Sequence, residues 1–279
     1  MNQRAAHTFR FRRDPFAPAY FDWMASCSCG WRGGHYTRAE IRQGGARRAC
    51  GPRQAGRPLM LGRTHVLSGA AGWLAVAPHV AQATGHPFSP GTLAASTVVC
   101  AGAALLPDLD HEHGTLAHGL GPVTRVLTEF VADVSGGHRH ATHSLVFGAG
   151  MGALAAVALT SRWLLMLAMA GFLAATAIRA LELPRVGWPK SYAVAALATA
   201  AAARWLPGPW PWLPPAVVAG CWLHLAGDLL TPKGCPLLWP LPWRVEVPLI
   251  DIDTSSWRET KVIAPALAVA VLLLGWIRL

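Results

Sequence analysis

Charge is scarce in this chain. Only 14% of its 279 residues are Asp, Glu, Lys or Arg, and lysine occurs at just three positions, Lys190, Lys233 and Lys261. Alongside 53% hydrophobic residues and a mean hydropathy of +0.33, that scarcity excludes an ordinary soluble domain and predicts a core that faces lipid. The rarity of lysine beside abundant Arg and Ala suggests a GC-rich bacterial genome and carries little chemistry. Strand-like alternation is missing from the apolar runs at 65–83, 91–106, 144–160, 163–181, 191–206, 212–230 and 262–278, so they read as helices. No secretory signal precedes the first of them. No clear internal repeat is visible either, which argues against a repeat-built transporter.

The fold expected from these runs is an all-α, polytopic membrane protein over residues 61–279, with about five to seven membrane-embedded helices. Several runs fall short of the ~20 residues that a straight crossing needs, and the first contains Pro78 and His79, so the first two are candidates for a shallow or re-entrant hairpin. Residues 1–60 form an extension in which Arg dominates, twelve arginines up to Arg63 standing against Asp14, Asp22 and Glu40. With the amino terminus in the cytoplasm, all but Arg162, Arg204 and Arg278 of the 24 basic residues fall on the cytoplasmic side, as the positive-inside rule favours. Membrane lipid is therefore a more economical partner for the extension than nucleic acid, which is not expected. The expected location is the bacterial cytoplasmic membrane.

Against this apolar background stand His and Asp residues at the edges of the helices: His65, Asp108, Asp110, His111, His138, His143, His224 and Asp228. Carboxylates and imidazoles beside hydrocarbon are costly unless paired, and a divalent metal suits both. His65 opens the first helix, Asp108 to His111 close the second, His138 to His143 open the third, and His224 and Asp228 close the sixth. All four groups therefore fall at one leaflet, where they can converge. Each has a plainer reading: Pro107-Asp108 as a helix stop, residues 138–143 as a solvated His-rich loop capped by Thr142, and His224 with Asp228 at i and i+4 as an intrahelical ion pair. The shared leaflet favours one metal site. Arg139, with a planar fork suited to phosphate, His138 and Glu112 are candidate catalytic or supporting residues.

These motifs, in this order, carry a family resemblance. Thr64-His65 before a Gly-containing helix, Leu106-Pro107-Asp108-Leu109-Asp110-His111, His138-Arg139 with Thr142-His143-Ser144-Leu145, and His224 to Asp228 running into Leu229-Leu230-Thr231-Pro232-Lys233-Gly234 and Leu237-Leu238-Trp239-Pro240-Leu241 resemble the YdjM/DUF457 family of membrane-bound metal-dependent hydrolases. The resemblance covers residues 64–245. It implies a polytopic bacterial inner-membrane protein with His and Asp metal ligands and hydrolytic activity. His140 stands where the family commonly has Gly after His-Arg, and the Arg-rich extension also departs from the pattern.

The extension holds a second candidate site. Cys27-Ser28-Cys29-Gly30-Trp31 points two thiolates together, and Cys50 with His35 would complete a small zinc knuckle; the alternative is a disordered tail with incidental thiols. A structural disulfide does not suit a reducing cytoplasm. Cys100 and Cys221 read as core residues of apolar helices. The functional expectation is hydrolysis by one or two divalent ions, zinc first with manganese or iron as alternatives. A lipid or lipid-linked phosphoester at the cytoplasmic headgroup level is the substrate class, with Trp239, Trp243 and Trp257 in an interfacial belt. The rival is a non-catalytic metal-binding membrane protein, a transporter or sensor.

Overall fold

A computed structural model describes residues 9–13, 23–27 and 32–36 and residues 62–278, apart from 112–113, 115, 118–121, 182–187, 207–208, 232–233 and 248–256. The chain divides into two compact units, Met1–Pro58 and Leu59–Leu279. In the first, strands β1 (Phe9–Arg13), β2 (Trp23–Cys27) and β3 (Arg32–Tyr36) form an antiparallel sheet in the order β1-β2-β3. Phe9 pairs with Cys27, and Met24 with His35. This sheet was not expected from the sequence. Of the proposed knuckle, Cys27 and His35 lie on strands, while Cys29 and Cys50 lie outside the described residues, as does Glu112.

The second unit is all-α, as the apolar runs require. Its helices are α1 (Gly62–Thr84), α2 (Pro90–Ala103), α3 (Pro122–Ser135), α4 (Leu145–Ser161), α5 (Trp163–Ala180), α6 (Trp188–Trp205), α7 (Leu213–Leu229) and α8 (Ala264–Arg278). Short 3-10 turns occupy Leu106–Asp110 and Ala141–His143, and a π-turn, Glu259–Ile263, leads into α8. Among the described residues, three segments are long and apolar enough to cross a membrane, Pro90–Asp110, Trp163–Ala180 and Glu259–Arg278, and Leu145–Ser161 is a shorter apolar helix. The second run, with its 3-10 extension, reaches 21 residues, more than a shallow hairpin arm needs.

Helix α2 is the hub, packed against α1, α5 and α7. Small residues make that possible. A Cβ on Gly102 would stand 1.9 Å from the Leu173 carbonyl oxygen of α5, and one on Gly220 would stand 2.4 Å from the Cys100 carbonyl oxygen of α2. Both crossings thus bring backbone against backbone, the close approach that small residues allow between helices in lipid. Around them Trp73, Leu74, Val99, Cys100, Leu173, Leu213, Val217 and Cys221 are buried. Cys100 and Cys221 are core residues, as expected. Trp73 donates its indole N–H to Ser96 Oγ at 2.8 Å, which satisfies the polar end of the largest core side chain.

Local chemistry sets the helix starts. Ser89 accepts from the Thr92 N–H and Pro90 follows at the first helical position of α2, a cap and a ring that suit a helix start. Ser144 accepts from the Phe147 N–H and starts α4 immediately after His143.

Candidate metal centre

Four stretches of chain meet at one end of the bundle. His65 lies in the first turn of α1, Asp108 in the 3-10 turn that follows α2, His143 in the turn that precedes α4, and His224 with Asp228 near the carboxyl end of α7. His65, His143, His224 and Asp228 are no more than 2% exposed. His143 Nε2 and His224 Nε2 are 3.3 Å apart. Asp228 Oδ2 lies 3.3 and 3.4 Å from these two nitrogens, and Asp108 Oδ1 lies 3.7 and 3.8 Å from them. A tetrahedral ion with ligands at about 2.0–2.1 Å has donor–donor edges of about 3.3–3.4 Å. The His143, His224 and Asp228 donors are spaced like three corners of such a shell, and Asp108 stands slightly farther from the two nitrogens.

Hydrogen bonds behind the rings select the nitrogen that faces inward. His224 Nδ1 donates to the Ala104 carbonyl at 2.7 Å, which leaves Nε2 as the lone-pair nitrogen of the neutral ring. Thr142 donates its hydroxyl proton to Asp110 Oδ2, so its oxygen accepts from His143 Nδ1 at 3.1 Å, again freeing Nε2. Outer partners of this kind orient imidazoles that bind metal. His65 stacks on His224, ring centroids 3.8 Å apart, with Nε2 at 3.8 Å from Asp228 Oδ1, and its Nδ1 is buried without a hydrogen-bond partner. His65, Asp108 and His224 form one group that could hold a metal ion, Asp108, His138 and His143 a second, and His143, His224 and Asp228 a third. The donor set, imidazole and carboxylate with ligand atoms within 4.8 Å of one another in each group, fits a divalent cation.

Two residues expected at the centre do different work. Asp110 faces away from it, because both its oxygens are committed to the loop: Oδ1 accepts from His138 Nδ1 at 2.8 Å, and Oδ2 from the Arg139 N–H at 3.0 Å as well as from Thr142. It is a buried bracket and, among the described residues, stands outside the metal-capable groups. Arg139, expected to keep its fork free for a phosphate, is only 4% exposed and donates through Nη2 to Asp228 Oδ1 at 2.6 Å and through Nη1 to Thr231 Oγ1 at 2.8 Å. Its φ of +64° is a left-handed conformation that costs a non-glycine residue about 1–3 kcal/mol. Gly136 and Gly137, also at positive φ, let the chain turn into it.

The remaining candidates border the centre. His138 is about a quarter exposed, and its Nε2 is buried without a partner. His111 packs edge-on against it, centroids 4.8 Å apart, but stands outside the metal-capable groups among the described residues. Burial opposes charge on His143, yet hydrogen bonding to Asp110 and Asp228 outweighs it and holds its pKa up at about 9. Burial and then Arg244 push that of His140 down. Cys235, which had no expected role, is fully buried in a backbone bridge with Val245, and its thiol is pushed up to about 12, chiefly by burial.

Sequence reasoning missed Glu259. It is fully buried and accepts from Thr64 Oγ1 at 2.9 Å, tying the last apolar segment to the residue beside His65. Its signal was an acid at the entrance to an apolar run. At the opposite end of the bundle, a cavity of about 350 Å³ is lined by Leu159, Trp163, Met166, Leu206, Pro209 and Trp210 among others; none of its lining residues ionises.

The family described as YdjM inner membrane protein matches residues 60–279. The chain is 27% identical over 155 residues to the inner membrane protein YdjM of Escherichia coli K12 and, equally, to that of Shigella flexneri. That stretch is 56% of this chain and 54% of each relative, so the chain spans about half the length of the curated relatives it matches. No solved structure matches it.

Proposed function

The chain belongs to the family of YdjM inner membrane proteins, and from that premise we propose that it is a membrane-bound, metal-dependent hydrolase acting on a lipid or lipid-linked phosphoester. The observation that carries this reading is the convergence of His143 Nε2, His224 Nε2 and Asp228 Oδ2 at 3.3–3.4 Å from one another, with Asp108 Oδ1 at 3.7 and 3.8 Å from the two nitrogens. Those four residues, with His65 against Asp228, would hold zinc, or manganese or iron in its place. When bound, such an ion supplies Lewis acidity and lowers the pKa of water toward neutrality.

The chain's own groups then divide the work. Arg139 neutralises Asp228 from behind and fixes which of its oxygens faces inward. Asp110 accepts a hydrogen bond from His138 Nδ1, which leaves the lone pair of the neutral ring on Nε2, so that nitrogen would take a proton from the attacking water and pass it on to the leaving oxygen. The site lies at one end of the bundle and not halfway along it, which supports an enzyme facing headgroups over a transporter with a midplane site. By the distribution of basic residues, that end is the cytoplasmic one.

Metal analysis of the purified protein, then headgroup release from a range of phospholipids, tests the proposal. At least one ion per chain is expected, with His224→Ala losing metal and turnover together. His138→Ala is expected to keep the metal and lose about 10²–10⁴-fold in turnover. A fully loaded protein that hydrolyses no phosphoester or amide would instead identify a non-catalytic sensor or transporter.

A further inference from the structure

Helix α3 is turned inside out. Among its described residues the buried side chains are hydroxyls, Thr124, Thr128 and Ser135; Thr128 donates to the Thr124 carbonyl at 2.8 Å and Thr124 to the Ala117 carbonyl at 3.2 Å. Three of its large apolar side chains point outward: Val126 is 65% exposed, Phe130 62% and Val134 71%. These three recur every four residues and so form one stripe. Leu127, 45% exposed, widens it. In water, leaving three such side chains uncovered forgoes about 1.5–3 kcal/mol each, so the arrangement suits apolar surroundings.

The ends of α3 fix what those surroundings are. Before it, the turn Leu106–Asp110 closes a segment long enough to cross the membrane; after it, the chain runs through Ala141–His143 into the apolar helix α4. Helix α3 packs on the Leu106–Asp110 turn itself. A helix held between the exit of one apolar segment and the entrance of the next lies level with the membrane surface. We propose that α3 is an interfacial helix whose Val126, Phe130 and Val134 stripe is sunk among lipid acyl chains beside the metal centre. Its exposed charges are Arg125, ion-paired with Glu129 at 3.2 Å, and Asp133, one positive against two negative, so the anchor is apolar and owes nothing to anionic headgroups. The proposal depends on the membrane placement of the bundle and not on hydrolysis. It would nevertheless present a headgroup to Asp108, which sits on the turn that α3 packs against.

The test replaces Phe130 by p-benzoylphenylalanine in the full-length protein and irradiates it in the membranes of the expressing cells. Leu272, 73% exposed on the candidate span Glu259–Arg278, carries the same probe as a lipid-facing reference. Lipid adducts, read by intact-mass spectrometry, are expected at Phe130 in yield comparable to Leu272, and also at Val126. Adducts to a second copy or to another protein would overturn the proposal, as would an absence of lipid adducts at both α3 positions while Leu272 gives them. Reconstitution in phosphatidylcholine vesicles with and without phosphatidylglycerol is expected to leave the yield unchanged. A yield that needs phosphatidylglycerol would overturn the apolar anchor.

Discussion

At the scale of single residues, the centre is built less by its ligands than by the groups that stand behind them. Asp110 and Arg139 look like a ligand and a phosphate binder in sequence because both are charged and both flank histidines. Their roles depend on which oxygen or nitrogen faces which neighbour, and no spacing encodes that. Since Arg139 holds Asp228 at 2.6 Å and both are buried, Arg139→Ala is expected to weaken metal binding by about 10–100-fold and to destabilise the protein, because one partner of a buried pair is left alone. Titration with zinc and the unfolding temperature of the solubilised protein measure the two effects; unchanged zinc affinity would return Arg139 to a role in substrate binding. His143 yields a second expectation. With its pKa near 9 in the metal-free chain, the folded protein holds a proton there at neutral pH that unfolded histidine, near 6.5, has largely released. The stabilisation from that proton is full below about 6.5 and is lost as pH rises through about 9. A metal ion must displace the same proton, so zinc uptake near pH 7.5 is expected to release at least one proton per site, and affinity is expected to strengthen as pH rises toward 9. Calorimetry in buffers of different ionisation enthalpy counts that proton, and a count of zero would mean that His143 is not a ligand.

At the scale of elements, seven apolar helices were legible because composition alone marks them: runs of Ala, Leu and Val at membrane length are hard to read any other way. Helix α3 was not legible. Its apolar residues are interrupted by Arg125, Glu129 and Asp133, so it leaves no long apolar run, and among its described residues the buried ones are threonine and serine. The N-terminal sheet escaped for a related reason, since strands as short as Phe9–Arg13 alternate polar and apolar residues over too few positions to stand out in an Arg-rich segment. Convergence of the four motifs was legible because helix parity puts their ends on one side. The contact that makes convergence tight lies one turn away, at Gly220. There α7 backs onto Cys100 and Ala103 of α2, close enough for His224 to reach the Ala104 carbonyl. Gly220→Val is therefore expected to separate α7 from α2, reducing folded yield and removing bound metal. Gly150→Ala on α4, which meets nothing within 4 Å, is expected to leave both intact or to raise stability by up to about 1 kcal/mol. Retention of full metal content in Gly220→Val would mean that the crossing does not set the centre.

At the scale of the whole molecule, the helix bounds separate the basic residues into two populations. Helix α4 ends beside Arg162 and α6 carries Arg204 in its last turn, both at the end of the bundle away from the centre, whereas Arg139 and Arg179 lie toward the end where His65, Asp108, His143 and Asp228 meet. Basic residues are retained in the cytoplasm; Arg63 lies in the first turn of α1, at the same end as the centre, and the sequence before it carries eleven more arginines. The metal-bearing end is therefore expected to face the cytoplasm. That orientation matters chemically, because it decides whether the centre meets cytoplasmic metal pools and the inner-leaflet headgroups that the hydrolase reading needs. Alkaline phosphatase fused after Arg162 is expected to be active, since it would be exported, and inactive when fused after Leu181; a green fluorescent protein reporter should give the reverse pattern. Phosphatase activity at Leu181 with none at Arg162 would invert the protein, place the centre at the outer face, and redirect the substrate search from inner-leaflet lipids to those exposed on the far side.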